Sequence, residues 1–231
     1  MAREREIKIR LKGVAVDELI QRIQKLGFVL ERAIKQTDIY FDTEDWFLYD
    51  QLAALRLRKV NGQDSSFSFK KLFYLPKKTD KHYIEEIETK FPPDRKTIGE
   101  ILAKLGMNDD LVANSGEELT KFFVSNGYLD SQKMQKTRKV FSYHDSELVI
   151  DDVDQVGLII ELECQSGEPM ELVRSFLTND EWERDLEGTS YIWLRKVKGL
   201  NRHLNHLKRF ETDPEWNVLV QEREYYLGIS Q

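Results

Sequence analysis

The stretch EREIKI, residues 4–9, decides the fold, because charged and apolar side chains begin to alternate there along the chain. Glu4, Glu6 and Lys8 occupy every second position, and isoleucines follow Glu6 and Lys8. A period of two is typical of a β-strand, since successive side chains of a strand lie on opposite faces of a sheet. The stretch therefore predicts a strand with one charged face and one apolar face.

Alternation, or a content of aromatic and β-branched residues that is typical of strands, recurs at seven further places. These are residues 38–41, 55–58, 67–70, 86–88, 136–138, 148–150 and 161–163. Between them, residues 16–26 and 98–105 have the apolar spacing of amphipathic helices, each followed by a glycine. Further helices are predicted after Ser115, from Pro169 and over residues 187–198. The pattern predicts an α+β fold with eight strands.

Composition restricts the class of protein. The 231 residues, 40% of them hydrophobic, are ample for a packed core. A formal net charge of -6 disfavours general nucleic-acid binding. The single cysteine, Cys164, permits no internal disulfide, and no apolar run approaches the roughly 20 residues of a membrane span. We expect a cytoplasmic protein that does not contact a membrane.

The charged pairs on the predicted strands are segregated by sign. The acidic pairs are Glu4/Glu6, Glu86/Glu88 and Glu161/Glu163, and the basic pairs are Arg56/Arg58 and Lys136/Arg138. Like charges two residues apart on a strand repel each other unless a counter-ion or ligand lies between them. For any single strand, a solvent-facing charged side over an apolar sandwich is the better interpretation. Together the strands favour a closed eight-stranded antiparallel barrel with a polar interior, whose apolar outer face is covered by amphipathic helices.

An interior that carries both signs of charge suits an anion with bound metal ions. The acids expected there are Glu4, Glu6, Glu86, Glu88, Asp151, Glu161 and Glu163. The bases expected there are Lys8, Arg56, Arg58, Lys70, Lys136 and Arg138. Bases match phosphate oxygens, and carboxylates match hard cations such as Mg²⁺ or Mn²⁺, one or two per site.

Seven motifs in this order resemble the CYTH superfamily, the triphosphate tunnel metalloenzymes. They are E-x-E-x-K at 4–8, QTDIYFD at 36–42, LRLR at 55–58, FK at 69–70, EEIE at 85–88, KTR at 136–138 and a closing DDV…G…ELE hairpin over 151–163. The first, second and fifth look closest to the class IV adenylyl cyclase-like branch. The resemblance implies a triphosphate tunnel domain over residues 1–199. Residues 200–231 have no counterpart in the family and are predicted to be a helical extension packed on the barrel.

The resemblance implies metal-dependent hydrolysis of an inorganic or organic triphosphate, and the residue pattern supplies the assignments. Lys8, Glu88 and Asp151 are the candidate catalytic residues, and the six bases are the candidate phosphate contacts. The seven acids are the candidate metal ligands. Glu4 and Glu6, with Glu161 or Glu163, would hold the metal that orients the phosphates.

Two alternatives to hydrolysis remain open at this point. A class IV-type adenylyl cyclase would use the same metals and bases, but a ribose 3′-hydroxyl would attack the α-phosphorus and pyrophosphate would leave. A non-catalytic polyphosphate or nucleotide sensor is the other alternative, motivated by the appended helices. Such helices would also allow a homodimer.

Overall fold

The computed structural model describes residues 5–73, 83–107, 111–165, 169–184 and 189–200, which contain nine strands and six helices. The strands are β1 (Arg5–Leu11), β2 (Val29–Asp42), β3 (Ala53–Val60), β4 (Gln63–Phe73), β5 (Tyr83–Lys90), β6 (Leu129–Tyr143), β7 (Ser146–Val153), β8 (Gly157–Cys164) and β9 (Trp182–Arg184). The helices are α1 (Val16–Lys25), α2 (Phe47–Asp50), α3 (Arg95–Lys104), α4 (Gly116–Ser125), α5 (Pro169–Arg174) and α6 (Thr189–Lys198). None of the helices in these ranges is long and apolar enough to cross a membrane.

The strands follow the order β5-β4-β3-β2-β6-β7-β8-β1-β9 in one sheet. Antiparallel ladders join β1 to β8 and β9, β3 to β2 and β4, β4 to β5, and β7 to β6 and β8. Seven of the eight predicted strand segments lie wholly within one of the strands β2 to β8, and the first, residues 4–9, lies in β1 from Arg5 onward, since residue 4 is outside the described residues. The predicted α+β class, with a large antiparallel sheet, is therefore confirmed.

The prediction of a closed eight-stranded barrel is wrong for the described part of the chain. The sheet has nine strands and ends at β5 on one side and at β9 on the other. Strand β9 has three residues, so it is too short for a period of two to be recognised in the sequence. It pairs with Ile9, Arg10 and Leu11, and it thereby occupies part of the β1 edge that an eight-stranded closure would need.

The described chain divides into two compact units, residues 5–35 with 136–200 and residues 36–135. In the first unit, Leu19 and Ile23 of α1 belong to the same buried core as Ile7 of β1 and Leu162 of β8. Cys164, at the end of β8, also belongs to this core and is 2% exposed. The hydroxyl of Ser146 donates a hydrogen bond to its sulfur.

The second unit has a hydrophobic core of its own. Ile98 of α3 and Phe123 of α4 belong to it with Leu55, Leu57 and Phe69 of the neighbouring strands β3 and β4. The apolar strand faces are thus buried with helices in both units, as the alternation of residues predicts. The charged faces of the same strands lie on the opposite side.

The first turn of α4 is tied to the sheet of the second unit. The Gly116 amide donates a hydrogen bond to Asp64 Oδ2 at 2.7 Å. A Cβ atom at Gly116 would lie 2.6 Å from Asp64 Oδ1 and 2.8 Å from Leu57 Cδ2. Ser115, after which the helix was predicted to begin, caps it by accepting from the Glu118 amide, while the Glu118 side chain accepts from the amide of Asn114.

The predicted domain from residue 1 to 199 and the predicted homodimer stay predictions. Residues 201–231, which carry most of the predicted C-terminal extension, lie outside the described residues. The sensor alternative was motivated by that extension.

Candidate functional site

The charged face of the first unit is organised around Glu161 of β8. Lys8 lies opposite Glu161 in the β1–β8 register, and its Nζ is 2.6 Å from Oε1. Arg138 of β6 donates from Nη2 to the other oxygen, Oε2, at 2.9 Å. One carboxylate therefore holds two bases that come from different strands.

Asp151 of β7 is the most deeply buried acid on this face, at 1% exposed. It lies opposite Arg138, whose Nε and Nη2 donate to Oδ1 at 2.8 Å and to Oδ2 at 2.7 Å. Lys136 Nζ donates to Oδ2 at 2.7 Å. A buried carboxylate is costly unless it is paired and hydrogen-bonded, and these three bonds provide that compensation.

The pKa of Glu161 reflects its two basic neighbours. Burial alone would raise the pKa, but the charges of Lys8 and Arg138 outweigh burial and hold it at about 2. The carboxylate is therefore ionised near neutral pH, and it keeps both bases on the face of the sheet.

A second set of charged side chains lies on β2, β3, β4 and β5 of the second unit. Arg58 is opposite Asp38, with Nε 2.6 Å from Oδ1 and Nη2 2.7 Å from Oδ2. Asp38 is only 1% exposed. Among the ion pairs described for the second charged face, this pair has the most buried acid.

The pairs formed by Glu86 and Glu88 of this face have acids that are more open to solvent than Asp38. Arg56 Nη2 is 3.3 Å from Glu88 Oε2 and 3.8 Å from Glu86 Oε1, and Lys70 Nζ is 3.2 Å from Glu86 Oε2. Both glutamates lie on β5 and are about 40% exposed. Exposed pairs of this kind contribute little to stability, so their bases can exchange partners at low cost.

The predicted metal ligands are only partly described. Glu4 lies outside the described residues, and of Glu6 the structure describes the backbone alone. The β1–β8 register places Glu6 directly opposite Glu163. Like charges in that position repel each other, and carboxylate oxygens are the ligands that Mg²⁺ and Mn²⁺ prefer, so the residue types fit a hard cation.

In the described ranges no three histidine, cysteine or acidic residues form a metal-binding group, and the metal assignments stay predictions.

The predicted site residues fall into two sets, one in each unit. The first set is Lys8, Lys136, Arg138, Asp151 and Glu161, and the second is Arg56, Arg58, Lys70, Glu86 and Glu88. Glu163 lies two residues beyond Glu161 on β8, on the same strand face. The roles of these residues in catalysis and binding stay predictions.

Sequence reasoning assigned no role to Asp38 and Tyr40, which lie on the charged face of β2. Tyr40 is opposite Arg56 in the register. Burial raises the pKa of the Tyr40 phenol, and the neighbouring charge of Asp38 raises it further. The signal was present, since both residues alternate with apolar ones within the QTDIYFD segment.

Arg10 was also missed, although it is the next alternate position after Lys8. It forms an ion pair with Glu183 of β9. Extending the alternation of β1 by one step would have placed Arg10 on the charged face. Its partner could not have been found, because β9 was not predicted.

The chain belongs to the CYTH domain family, whose model matches residues 2–191. A candidate adenylate cyclase of Methanocaldococcus jannaschii is 28% identical to it over 158 residues, which are 68% of this chain and 75% of that protein.

Two of the solved structures that resemble the fold illustrate the likeness. A Pyrococcus horikoshii protein has a TM-score of 0.53 at 19% identity, covering 83% of this chain and 99% of its own. A candidate adenylyl cyclase from Hippeastrum, described as having a dominant triphosphatase activity, has a TM-score of 0.54 at 20% identity, covering 86% and 97%. At these identities the likeness concerns the fold alone.

Proposed function

We propose that this protein is an enzyme that hydrolyses a triphosphate with the help of a divalent metal ion. The observation that carries the proposal is the set of bases on the charged strand faces of a CYTH domain, several of them held in place by acids. Phosphoryl transfer depends on positioning and charge neutralisation more than on covalent chemistry by the protein. Bases fixed by ion pairs can supply both.

The bases would bind the phosphate oxygens. They are Lys8, Arg56, Arg58, Lys70, Lys136 and Arg138. An arginine can donate two parallel hydrogen bonds to two phosphate oxygens, whereas a lysine acts as a point charge. Lys8, held by Glu161, is also the candidate for orienting the attacking water.

A bound Mg²⁺ or Mn²⁺ would neutralise charge on the phosphates. Glu6 and Glu163, which are neighbours in the β1–β8 register, are the first candidates to hold it, together with Glu4 and Glu161. Glu86 and Glu88, two residues apart on β5, are the candidates for a second ion, and Asp151 of the other unit is a separate candidate ligand.

The proposal is tested with purified protein and a panel of tripolyphosphate, ATP and thiamine triphosphate, each with Mg²⁺ or Mn²⁺ and with products resolved. Arg138→Gln should lower kcat/KM by about a hundredfold, the scale expected for one charge-assisted phosphate contact. Lys139→Gln is the matched control, because Lys139 is the next residue of β6 and lies on the opposite face. Failure to release phosphate from every member of the panel would refute the proposal.

An adenylyl cyclase is the second candidate, favoured by the name of the Methanocaldococcus relative. The ATP reactions of the same panel separate the two activities. Cyclic AMP with pyrophosphate would identify a cyclase, and ADP with phosphate would identify a hydrolase.

A further inference from the structure

An arginine in each unit is held in the same way by a buried aspartate on the neighbouring strand. In the second unit, Arg58 donates from Nε and Nη2 to the two oxygens of Asp38, at 2.6 and 2.7 Å. In the first unit, Arg138 donates from Nε and Nη2 to the two oxygens of Asp151, at 2.8 and 2.7 Å. The same two nitrogen atoms are used in both pairs.

The register and the burial of the two pairs are also alike, although Asp151 additionally accepts from Lys136 and Arg138 additionally donates to Glu161. Each aspartate lies directly opposite its arginine in an antiparallel register. Both aspartates are 1% exposed, and both arginine side chains are 18% exposed. In each pair the acid is thus enclosed, while part of the arginine is open to solvent.

The likeness is geometric and does not come from a repeated sequence motif. Asp38 precedes its arginine by 20 residues, whereas Asp151 follows its arginine by 13. A simple duplication would keep the order of acid and base. The same geometry therefore occurs on two pairs of strands in which the aspartate and the arginine follow each other along the chain in opposite order.

Stability of the fold is a weak explanation for these pairs. Burying two charges costs desolvation energy, and apolar residues of similar size often stabilise a protein as well or better. A bidentate pair does fix the plane and direction of a guanidinium, because two parallel hydrogen bonds prevent it from rotating. Fixed direction is an advantage where the arginine must meet a ligand of defined shape.

We propose that Asp38 and Asp151 are positioning residues that fix Arg58 and Arg138 for phosphate binding. The inference rests on the proposed function, in which both arginines contact the phosphates. It gives Asp38 a role in that site, and it gives Asp151 a role in orienting a base.

A double-mutant cycle in the second unit tests the inference. Asp38→Asn removes the charge and one acceptor oxygen, and Arg58→Lys keeps the charge but cannot make the two parallel bonds. We expect Asp38→Asn to raise KM for tripolyphosphate at least about tenfold, with a smaller change in kcat. In the Arg58→Lys background the same substitution should change KM by less than about twofold, because the arginine through which it acts is gone.

Asp64→Asn is the matched control. Asp64 is an acid of the same unit that bonds Lys59 and the Gly116 amide, so its loss should lower the melting temperature and leave KM unchanged. Asp38→Glu covers the case in which Asp38→Asn does not fold. It keeps the charge but displaces the guanidinium, so KM should rise severalfold in the folded variant.

Two results would overturn this inference and leave the proposed function standing. One is a KM for the folded Asp38 variants that equals that of the wild type. The other is a rise in KM by the same factor when Asp38→Asn is made in the wild type and in the Arg58→Lys background. Calorimetry with tripolyphosphate separates these from failure of the proposed function. Wild-type protein that neither binds nor turns over tripolyphosphate, ATP or thiamine triphosphate would reject both.

Discussion

The ionisation of Glu161, on the charged face of the first unit, affects the stability of the fold. Its pKa is about 2 in the folded chain, against an ordinary value of 4.5. A carboxyl with a lowered pKa stabilises the folded state at pH above its unfolded value. This contribution is lost as the pH falls from about 4.5 through about 2, because protonation breaks the pairs with Lys8 and Arg138. A pKa lowered from 4.5 to about 2 corresponds to roughly 3 kcal/mol.

Glu161→Gln should therefore lower the free energy of unfolding near neutral pH and flatten its decline in acid. Urea unfolding at a series of pH values measures both effects. Glu147→Gln is the control, because Glu147 is an exposed acid on the same face of the adjacent strand β7. Parallel pH profiles for the wild type and Glu161→Gln would exclude Glu161 as the coupled group.

At the level of residues, the sequence predicted which side chains share a charged face but not which of them pair. Alternation places Asp151, Lys136 and Arg138 on the charged faces of their strands, and all three were predicted as site residues. The pairing depends on register, which is determined by the turns and by core packing. For this reason, Asp38 could not be recognised as the partner of Arg58.

Among the elements, α4 depends on a close contact between its first residue and the sheet. Gly116→Ala would place a methyl group 2.6 Å from Asp64 Oδ1 and 2.8 Å from Leu57 Cδ2. The helix must then move or the amide bond to Asp64 must break. We expect the free energy of unfolding to fall by about 1–3 kcal/mol, as for other overpacked sites. Thermal or urea unfolding checks this.

Gly99→Ala in α3 is the matched control for this substitution. No atom lies within 4 Å of a Cβ built at Gly99, and the residue is in the middle of a helix. Alanine should therefore stabilise the protein by about 0.5–1 kcal/mol, through its higher helix propensity. If both substitutions change stability in the same direction, the contact at Gly116 does not limit the position of α4.

The long elements could be predicted, whereas the two shortest could not. Strands β1 to β8 and helices α1, α3 and α4 carry a periodicity over enough residues to be recognised. Helix α2 has four residues and is held by Asp42, whose side chain accepts from the amides of Leu48 and Tyr49 at 2.8 Å. Strand β9 is held by its pairing with β1. Contacts of this kind leave no period in the sequence.

For the whole molecule, the prediction of a closed barrel failed where it depended on which strand edges meet. Charged and apolar faces follow from alternation within each strand. Closure depends on pairing between strands far apart in sequence, and β9 of three residues occupies part of the β1 edge. The strand count was wrong because β9, with three residues, is too short to show a period of two in the sequence.

Ligand binding should raise the stability of the whole chain if the proposed function holds. Mg²⁺ with tripolyphosphate would bind the folded state alone and would stabilise it by about 2.7 kcal/mol at a hundredfold excess over Kd. Glu6→Gln should abolish the metal-dependent part of this gain. Glu100→Gln, an exposed substitution on α3, should retain it. An undiminished gain in Glu6→Gln, measured by thermal unfolding with and without Mg²⁺, would remove Glu6 from the metal site.

The single thiol makes the opening of one unit visible on its own. Cys164 is buried in the core of the first unit, and residues 36–135 contain no cysteine. A thiol reagent can reach the sulfur only when that core opens, so the labelling rate counts openings of the first unit. If labelling accelerates at urea concentrations below the global midpoint, the first unit opens before the chain as a whole unfolds. One unmodified wild-type sample can therefore report opening of the first core separately from unfolding of the whole chain.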